Sequence, residues 1–359
     1  MEIKSISIIG LGLIGGSLAK AIKKAHPEIE ISGYDKDQTL NLAFEDGIIT
    51  KKLGTPEEAT RSEIIFLSLP VDDALKVFPR IAPLLKENQI LSDTCSIKEP
   101  FAKIWNEINS KGIYIGGHPM TGKEKSGYLN SDYMLFENSI YIITQNNREN
   151  KSVKVLFELL ETIGSRITFL SPELHDKIVS EVSHLPQLLS VALVNSITHE
   201  ENQNSLSYAA GGFRDMTRIA SSLFEMWQPI LIQNKEKILN SLNSFSNELD
   251  SIKQFLLNDN FSDLGKKFEE ARVRRDEIPK NTKGLMSQLY DVFVYVKDQP
   301  GEMSKISTTL FENNINIKDI ELLKIREGTG GTFRLSFDGE KEANRAKELI
   351  ESIGFSTKV

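Results

Sequence analysis

The stretch Ile115-Gly116-Gly117-His118-Pro119-Met120-Thr121-Gly122-Lys123-Glu124-Lys125-Ser126-Gly127 holds five Gly or Pro residues, one histidine and three charged residues. Its Gly and Pro content predicts a loop. His118 is its chemically capable member, since an unperturbed pKa of about 6.5 lets an imidazole accept a proton or hydrogen bond at neutral pH. Two further places offer candidates. In Ser183-His184-Leu185-Pro186, His184 stands beside a proline that kinks a helical pattern, and by itself it reads as a core or interface histidine. In Gly211-Gly212-Phe213-Arg214-Asp215-Met216-Thr217-Arg218, the arginines are four apart and share a face if the segment is helical. Such a pair suits a carboxylate-bearing ligand, and the other reading is that one or both pair with Asp215 or another surface acid.

These groups need something to act on, and the chain begins with it. A β-branched run from Lys4 to Ile9 leads into Gly10-Leu11-Gly12-Leu13-Ile14-Gly15, and helical periodicity follows through Ser17, Leu18, Ala21 and Ile22. Strand, G-x-G-x-x-G and helix in this order predict a dinucleotide site. Gly10 serves the tight turn, Gly12 the approach of a pyrophosphate and Gly15 close helix–strand packing, while Leu13 and Ile14 open the helix whose N-terminus meets the phosphates. Asp35 ends the next strand, Ile29–Tyr34, where a carboxylate meets the ribose hydroxyls and repels a 2′-phosphate. NAD is therefore favoured over NADP, with Lys36 a mild contrary sign.

The α/β rhythm continues. The near-continuous apolar run Glu63 to Pro70 suits a central parallel strand, and Pro70 ends it where the cofactor crevice should lie, with Ser68 a candidate cofactor contact there. A helix is expected over Asp72–Leu85 and a strand over Gln89–Asp93. Ser96 and Lys98 then sit at a strand end facing the crevice. Ser96 has two readings, contact with nicotinamide or substrate, or a cap for a helix starting near Glu99. Cys95 reads as a small buried apolar residue. The strand Ile113–Ile115 places His118 just past its end, beside the cofactor. Strands at Ser139–Thr144 and Arg166–Leu170, with a helix at Val153–Ile163 between them, complete an α/β N-terminal Rossmann-type domain over residues 1–170.

Residues 171–280 read as an all-α middle domain with more apolar positions than one thin layer buries, so a homodimer is expected. Residues 281–289 form a linker. Residues 290–359 have the order βαββαβ of an α+β ferredoxin-like domain, with a strand at Tyr290–Val296, a helix at Met303–Glu312, extended chain at Ile315–Ile325, a hairpin turn at Glu327–Gly331, a strand at Thr332–Phe337 and a helix at Lys341–Ile353.

Composition sets limits. The 359 residues are 40% hydrophobic and 26% charged, with a net charge of −7 that argues against nucleic acid or an anionic membrane as partner. A single cysteine, no signal-peptide pattern and no bilayer-length apolar run point to a cytoplasmic protein. No His/Cys ligand cluster suggests a metal.

Together the Gly10–Ser17 loop, Gly117-His118-Pro119-Met120-x-Gly122 with Glu124 and Gly127, Ser183-His184-Leu185-Pro186, Gly212-Phe213-Arg214-Asp215-x-Thr217-Arg218-Ile219-Ala220, Arg275-Asp276-x-Ile278-Pro279 and Lys283-Gly284 resemble prephenate dehydrogenase over about residues 1–285. The resemblance implies oxidative decarboxylation of prephenate with NAD to 4-hydroxyphenylpyruvate. In it His118 deprotonates the ring hydroxyl, Ser96 helps place that hydroxyl and the nicotinamide, His184 lines the substrate pocket, Arg218 binds a carboxylate, and Glu124 lies near the pocket mouth. Thr121 and Lys123 depart from the family's pattern of Ala and a smaller neutral residue. Asp298-x-Pro300-Gly301 and Asn314-Ile315-Asn316-Ile317 resemble an ACT domain, a module that binds amino acids. That implies feedback inhibition by tyrosine, with Gln299, Gly301, Met303 and Asn314 as candidate contacts, or else a dimerising module with no ligand. The alternatives for the whole chain are arogenate dehydrogenase and a catalytically silent NAD and amino-acid sensor.

Overall fold

The computed structural model describes residues 3–123, 125–144, 151–197, 205–277, 289–326 and 330–358. The chain divides into two compact units, Met1–Glu269 and Glu270–Val359.

The first unit is built on an eight-stranded sheet. Its strands are β1 (Ser5–Ile9), β2 (Glu30–Tyr34), β3 (Lys51–Lys52), β4 (Ile64–Leu67), β5 (Ile90–Asp93), β6 (Ile113–Pro119), β7 (Ile140–Ile143) and β8 (Arg166–Phe169), in the order β3-β2-β1-β4-β5-β6-β7-β8. β1 to β6 run parallel, β7 pairs antiparallel with β6, and β8 follows β7 in parallel. Strand order reverses direction between β1 and β4, so the crevice for a ligand opens at their carboxyl ends. Period-two alternation serves both faces. Ile64 and Phe66 join one core with Leu18, Ile22 and Leu156, and Ile65 and Leu67 join the other with Ala74, Phe78 and Phe101. In the second core Phe78 meets Phe101 and Tyr114 edge-on, with ring centroids 5.4 and 4.9 Å apart.

Gly116 to Pro119 is strand, not loop, because β6 outruns β5. Its pairing with β5 ends at Asp93–Gly116, and β7 takes over at Gly117–Ile143 and His118–Ile142. The glycines are there for close approach. A Cβ on Gly116 would lie 2.4 Å from Thr144 Oγ1, and one on Gly117 would lie 2.8 Å from the Asp93 carbonyl. The loop beyond is tied back to the first helix (Leu13–Ala25), where Ser17 Oγ accepts the Asp132 N–H at 2.8 Å.

The helical segment begins at Pro172–Val179, widens into a π-type turn at Ser180–His184, and resumes at Leu185–Asn195. Pro186 lacks an N–H and crowds the preceding turn, which accounts for the widening. Helices Phe224–Gln233, Lys235–Leu257 and Phe261–Glu277 follow. The arginine pair does not share one regular helix. The helix Gly211–Thr217 ends before Arg218, which opens a 3-10 turn to Ser221.

The second unit holds β9 (Tyr290–Val296), a helix Glu302–Glu312, β10 (Asp319–Arg326), β11 (Gly330–Phe337), a helix Glu340–Ser352 and β12 (Ser356–Lys358), with sheet order β10-β11-β9-β12. This is the ferredoxin-like arrangement. The strand expected from Ile315 starts only at Asp319, because Asn314 takes a left-handed turn (φ 54°) and Ile315 is buried in the core. The linker 281–288 and hairpin residues 327–329 lie outside the described residues, as do Ile278 and Pro279.

Candidate active site

The glycine-rich loop is shaped for a dinucleotide. Gly10 has φ +93°, its N–H donates to the Tyr34 carbonyl at 2.8 Å, and a Cβ there would lie 2.4 Å from the Ser68 carbonyl. A Cβ on Gly15 would lie 1.9 Å from the Gly10 carbonyl, whereas one on Gly12 meets nothing within 4 Å. Gly10 and Gly15 are thus glycines because the protein crowds them, while Gly12 faces open space at a helix N-terminus, as a pyrophosphate cradle requires. Asp35 closes β2 beside it. One carboxylate oxygen accepts the Leu11 N–H at 2.6 Å and the other the Lys36 N–H at 2.6 Å. Each oxygen keeps lone-pair capacity for a ribose hydroxyl. Leu13 and Ile14 pack partly against the sheet. Ser68 lies against the loop and accepts from Thr94 Oγ1 at 3.1 Å. The residues present fit a dinucleotide.

His118 stands past the end of β5 and is half-buried. Its Nδ1 lies 2.8 Å from His175 Nε2, and His175 Nδ1 lies 2.7 Å from Asp176 Oδ1. Asp176 also accepts the backbone N–H groups of Lys98 (2.7 Å) and Glu99 (2.9 Å). The first turn of the helix Glu99–Glu107 is therefore capped by a carboxylate from 78 residues away, and the expected capping role of Ser96 is not realised. Ser96 is partly buried, and its hydroxyl makes no hydrogen bond among the described residues.

Lys98 departs from expectation more sharply. Its side chain is fully buried rather than exposed in the crevice, and its ammonium pairs with Asp93. The other Asp93 oxygen accepts the Tyr114 hydroxyl at 2.7 Å. Cys95 is buried, and burial pushes its thiol well above the ordinary range, as befits an inert packing residue.

His184 is almost fully enclosed. Its Nδ1 lies 3.3 Å from Asn234 Nδ2, which also donates to the Asp176 carbonyl at 2.7 Å, and its ring meets Trp227 edge-on at 5.9 Å. The buried Trp227 Nε1–H has no partner among the described residues. Burial holds all three histidines below their ordinary pKa. For His118 the shift is large, with His175, Lys98 and His184 adding to burial. For His175 it is countered by Asp176, and His184 is lowered to about 4. At neutral pH His118 is an uncharged imidazole, the form that accepts a proton.

The arginines sit further out. Gln187 donates to the Ile219 carbonyl at 3.0 Å, which ties the Arg218 turn to the helix following His184. Arg214 is exposed, and its Nε donates to the Ala209 carbonyl at 3.0 Å. Glu124 lies outside the described residues. Lys123 pairs with Asp132 at 2.9 Å, and Thr121 donates to the Leu135 carbonyl at 3.1 Å. In the second unit Gly301 (φ +89°) precedes the helix Glu302–Glu312, the Gln299 N–H donates to the Lys297 carbonyl, and Met303 packs partly on the core. Among the described residues there is no cluster of His, Cys, Asp and Glu that could hold a metal, and no helix is long and apolar enough to cross a membrane.

Residues 18–169 match the family model for the prephenate dehydrogenase nucleotide-binding domain, 171–270 its dimerization domain, and 290–355 the ACT domain. The chain belongs to the prephenate dehydrogenase family. It is 36% identical to the prephenate dehydrogenase of Bacillus subtilis, over 97% of this chain and 96% of that one. It is likewise 36% identical to that of Lactococcus lactis, over 97% and 98%. The crystal structure of prephenate dehydrogenase from A. aeolicus in complex with hydroxyphenyl propionate and NAD+ superposes with a TM-score of 0.69 at 29% identity, covering 77% of this chain and 99% of that one.

His175, Asp176, Asn234 and Trp227 were not among the residues expected from sequence. His175-Asp176 is an unremarkable pair on a helical pattern, and only tertiary packing aims it at His118.

Proposed function

We propose that this chain oxidises and decarboxylates prephenate to 4-hydroxyphenylpyruvate, with NAD as hydride acceptor. The observation that carries the reading is an uncharged, histidine-backed imidazole at the carboxyl edge of a sheet that also holds a glycine cradle and a ribose-facing carboxylate. When bound, NAD takes up the hydride from the carbinol carbon of the ring. His118 Nε2 takes the hydroxyl proton as the carbonyl forms. The resulting ring ketone accepts the electrons of the departing carboxylate, so the substrate supplies its own electron sink and aromatisation drives the step. Ser96, whose hydroxyl is unengaged, orients the substrate hydroxyl. Arg218 binds a substrate carboxylate, His184 and Arg214 shape the pocket, and Glu124 stands at its mouth. Gly10, Gly12, Leu13, Ile14, Gly15, Asp35 and Ser68 hold the cofactor.

The proposed domains are residues 1–170, 171–280 and 290–359, joined by a linker at 281–289. The helical segment exposes Val182, Met216, Leu223, Phe224, Met226 and Phe268, among other large apolar residues, which supports burial against a second copy in a homodimer. Tyrosine as inhibitor acting through Gln299, Gly301, Met303 and Asn314, and a cytoplasmic location, complete the reading. The test is NADH formation with prephenate and NAD, repeated with arogenate and with tyrosine. Turnover of prephenate that tyrosine suppresses supports both parts, and turnover indifferent to tyrosine removes the regulatory one. Preference for arogenate shifts the substrate, and silence with both leaves a sensor.

A further inference from the structure

The hydrogen bonds around His118 specify a direction. Asp176 Oδ1 is acceptor-only when ionised, so the 2.7 Å contact to His175 Nδ1 is made by an Nδ1–H on His175. A neutral His175 then has a bare Nε2, which accepts at 2.8 Å from His118. His118 must therefore carry its proton on Nδ1, and its Nε2 lone pair is free.

We propose that His175 and Asp176 are positioning residues that hold His118 in the Nδ1–H tautomer and so present its Nε2 as the proton acceptor. This rests on the reading of His118 as the base. When Nε2 takes the substrate hydroxyl proton, the positive charge on His118 is stabilised through the Nδ1–H bond to His175 and onward to the Asp176 carboxylate. No second proton transfer is needed. The other charged and titratable groups facing the pair are Lys98 and His184 toward His118, and Lys98 and Asp93 toward His175. Lys98 is tied to Asp93 and His184 to Asn234, so neither competes for His118 Nδ1. The two halves of the device come from different elements. His118 rides on β6, and His175 and Asp176 on the helix Pro172–Val179, whose Asp176 is in turn fixed by the N–H groups of Lys98 and Glu99.

The test reads the tautomer directly, by imidazole 15N chemical shifts in histidine-labelled full-length protein near neutral pH, with His118→Asn used to assign the signal. The wild type is expected to show Nδ1 of His118 protonated and Nε2 bare, with no need for substrate or cofactor. His175→Ala is expected to lose this preference and to lower kcat with prephenate by on the order of 10²–10³-fold, while KM and NAD affinity stay within about twofold. His175→Gln, whose side-chain oxygen still accepts from Nδ1–H, is expected to regain about tenfold or more of that loss. A wild-type signal with the proton on Nε2 overturns the proposal whether or not the enzyme turns over prephenate. So does a His175→Ala variant that keeps both tautomer and kcat. Absence of prephenate turnover together with the expected tautomer removes the assigned substrate and leaves the positioning device standing.

Discussion

Gly12 and Gly15 are three residues apart in one motif, and the structure assigns them opposite reasons for lacking a side chain. Gly12→Ala places its methyl in open space, and the backbone at φ −67°, ψ −152° lies in the extended region, which an L-residue tolerates. Its cost to the apo protein is the poorer helix cap of Ala, about 0.5–1 kcal/mol. That is offset by about 0.4–1 kcal/mol from the reduced freedom of the unfolded chain. The melting temperature should stay within about 2 °C of wild type. NAD binding should suffer instead, because the methyl stands where the pyrophosphate must approach. Losing one hydrogen bond to a charged phosphate, about 1.5–3 kcal/mol, raises Kd roughly 10- to 150-fold. Gly15→Ala drives its methyl to 1.9 Å from the Gly10 carbonyl and 2.9 Å from Ser68 Cβ, so backbone has to move. Overpacking of this kind costs about 1–3 kcal/mol, or roughly 2–6 °C in a unit of this size. Thermal melts without ligand and calorimetric titration with NAD separate the two effects. Gly12→Ala with NAD affinity within threefold of wild type would refute the cradle. Gly12→Ala melting as early as Gly15→Ala would refute the packing argument.

The remaining predictions concern charge and protons. His118→Asn should lower kcat by about 10²–10⁴-fold with NAD affinity unchanged, and lost NAD affinity in a titration would count against its role as base. Arg218→Ala should raise KM for prephenate by about tenfold or more at nearly constant kcat, and a change confined to kcat would remove it from carboxylate binding. Folded His184 stays neutral down to about pH 4, while an unfolded histidine protonates near 6.5. Between those values the unfolded chain binds the extra proton, so stability falls as pH drops through the window, by up to ~3 kcal/mol, with no contribution above it. His118 and His175 pull the same way, so His184→Gln should flatten the decline of melting temperature between pH 6.5 and 4 without abolishing it. An unchanged slope would contradict the assigned burial.

Local constraints were the legible ones. The G-x-G-x-x-G loop is readable because its glycines answer to backbone geometry within a few residues, and the Ile64–Leu67 strand because its apolar run is continuous. The helical segment and the βαββαβ order were equally open to periodicity. What stayed hidden was decided by distant partners. Gly116–Pro119 read as loop because nothing nearby reveals that β7 supplies the missing pairing edge. Lys98 read as crevice-facing because it follows a strand end, yet Asp93 and Tyr114 draw it into the core. Of the two readings open for Ser96, the helix cap is filled instead by Asp176 from another element. The pair His175-Asp176 carries no spacing signal, since adjacent residues on a helix do not share a face.

The same hydrogen bonds that aim His118 also hold the helical segment against the sheet. Asp176 gives its carboxylate to Lys98 N–H, Glu99 N–H and His175, and its carbonyl to Asn234, while Lys237 reaches Glu99 at 2.7 Å. Asp176 and Asn234 are buried, and a buried polar group without its partner costs about 1–3 kcal/mol, more when charged. A slip of the helix Pro172–Val179 against β5 and β6 would orphan several such groups at once, so apolar packing alone does not have to choose the register. Catalytic alignment and domain packing are therefore one requirement in this unit. An element that carries no cofactor contact in the sequence motif, the short helix after β8, becomes the one on which the direction of the base depends.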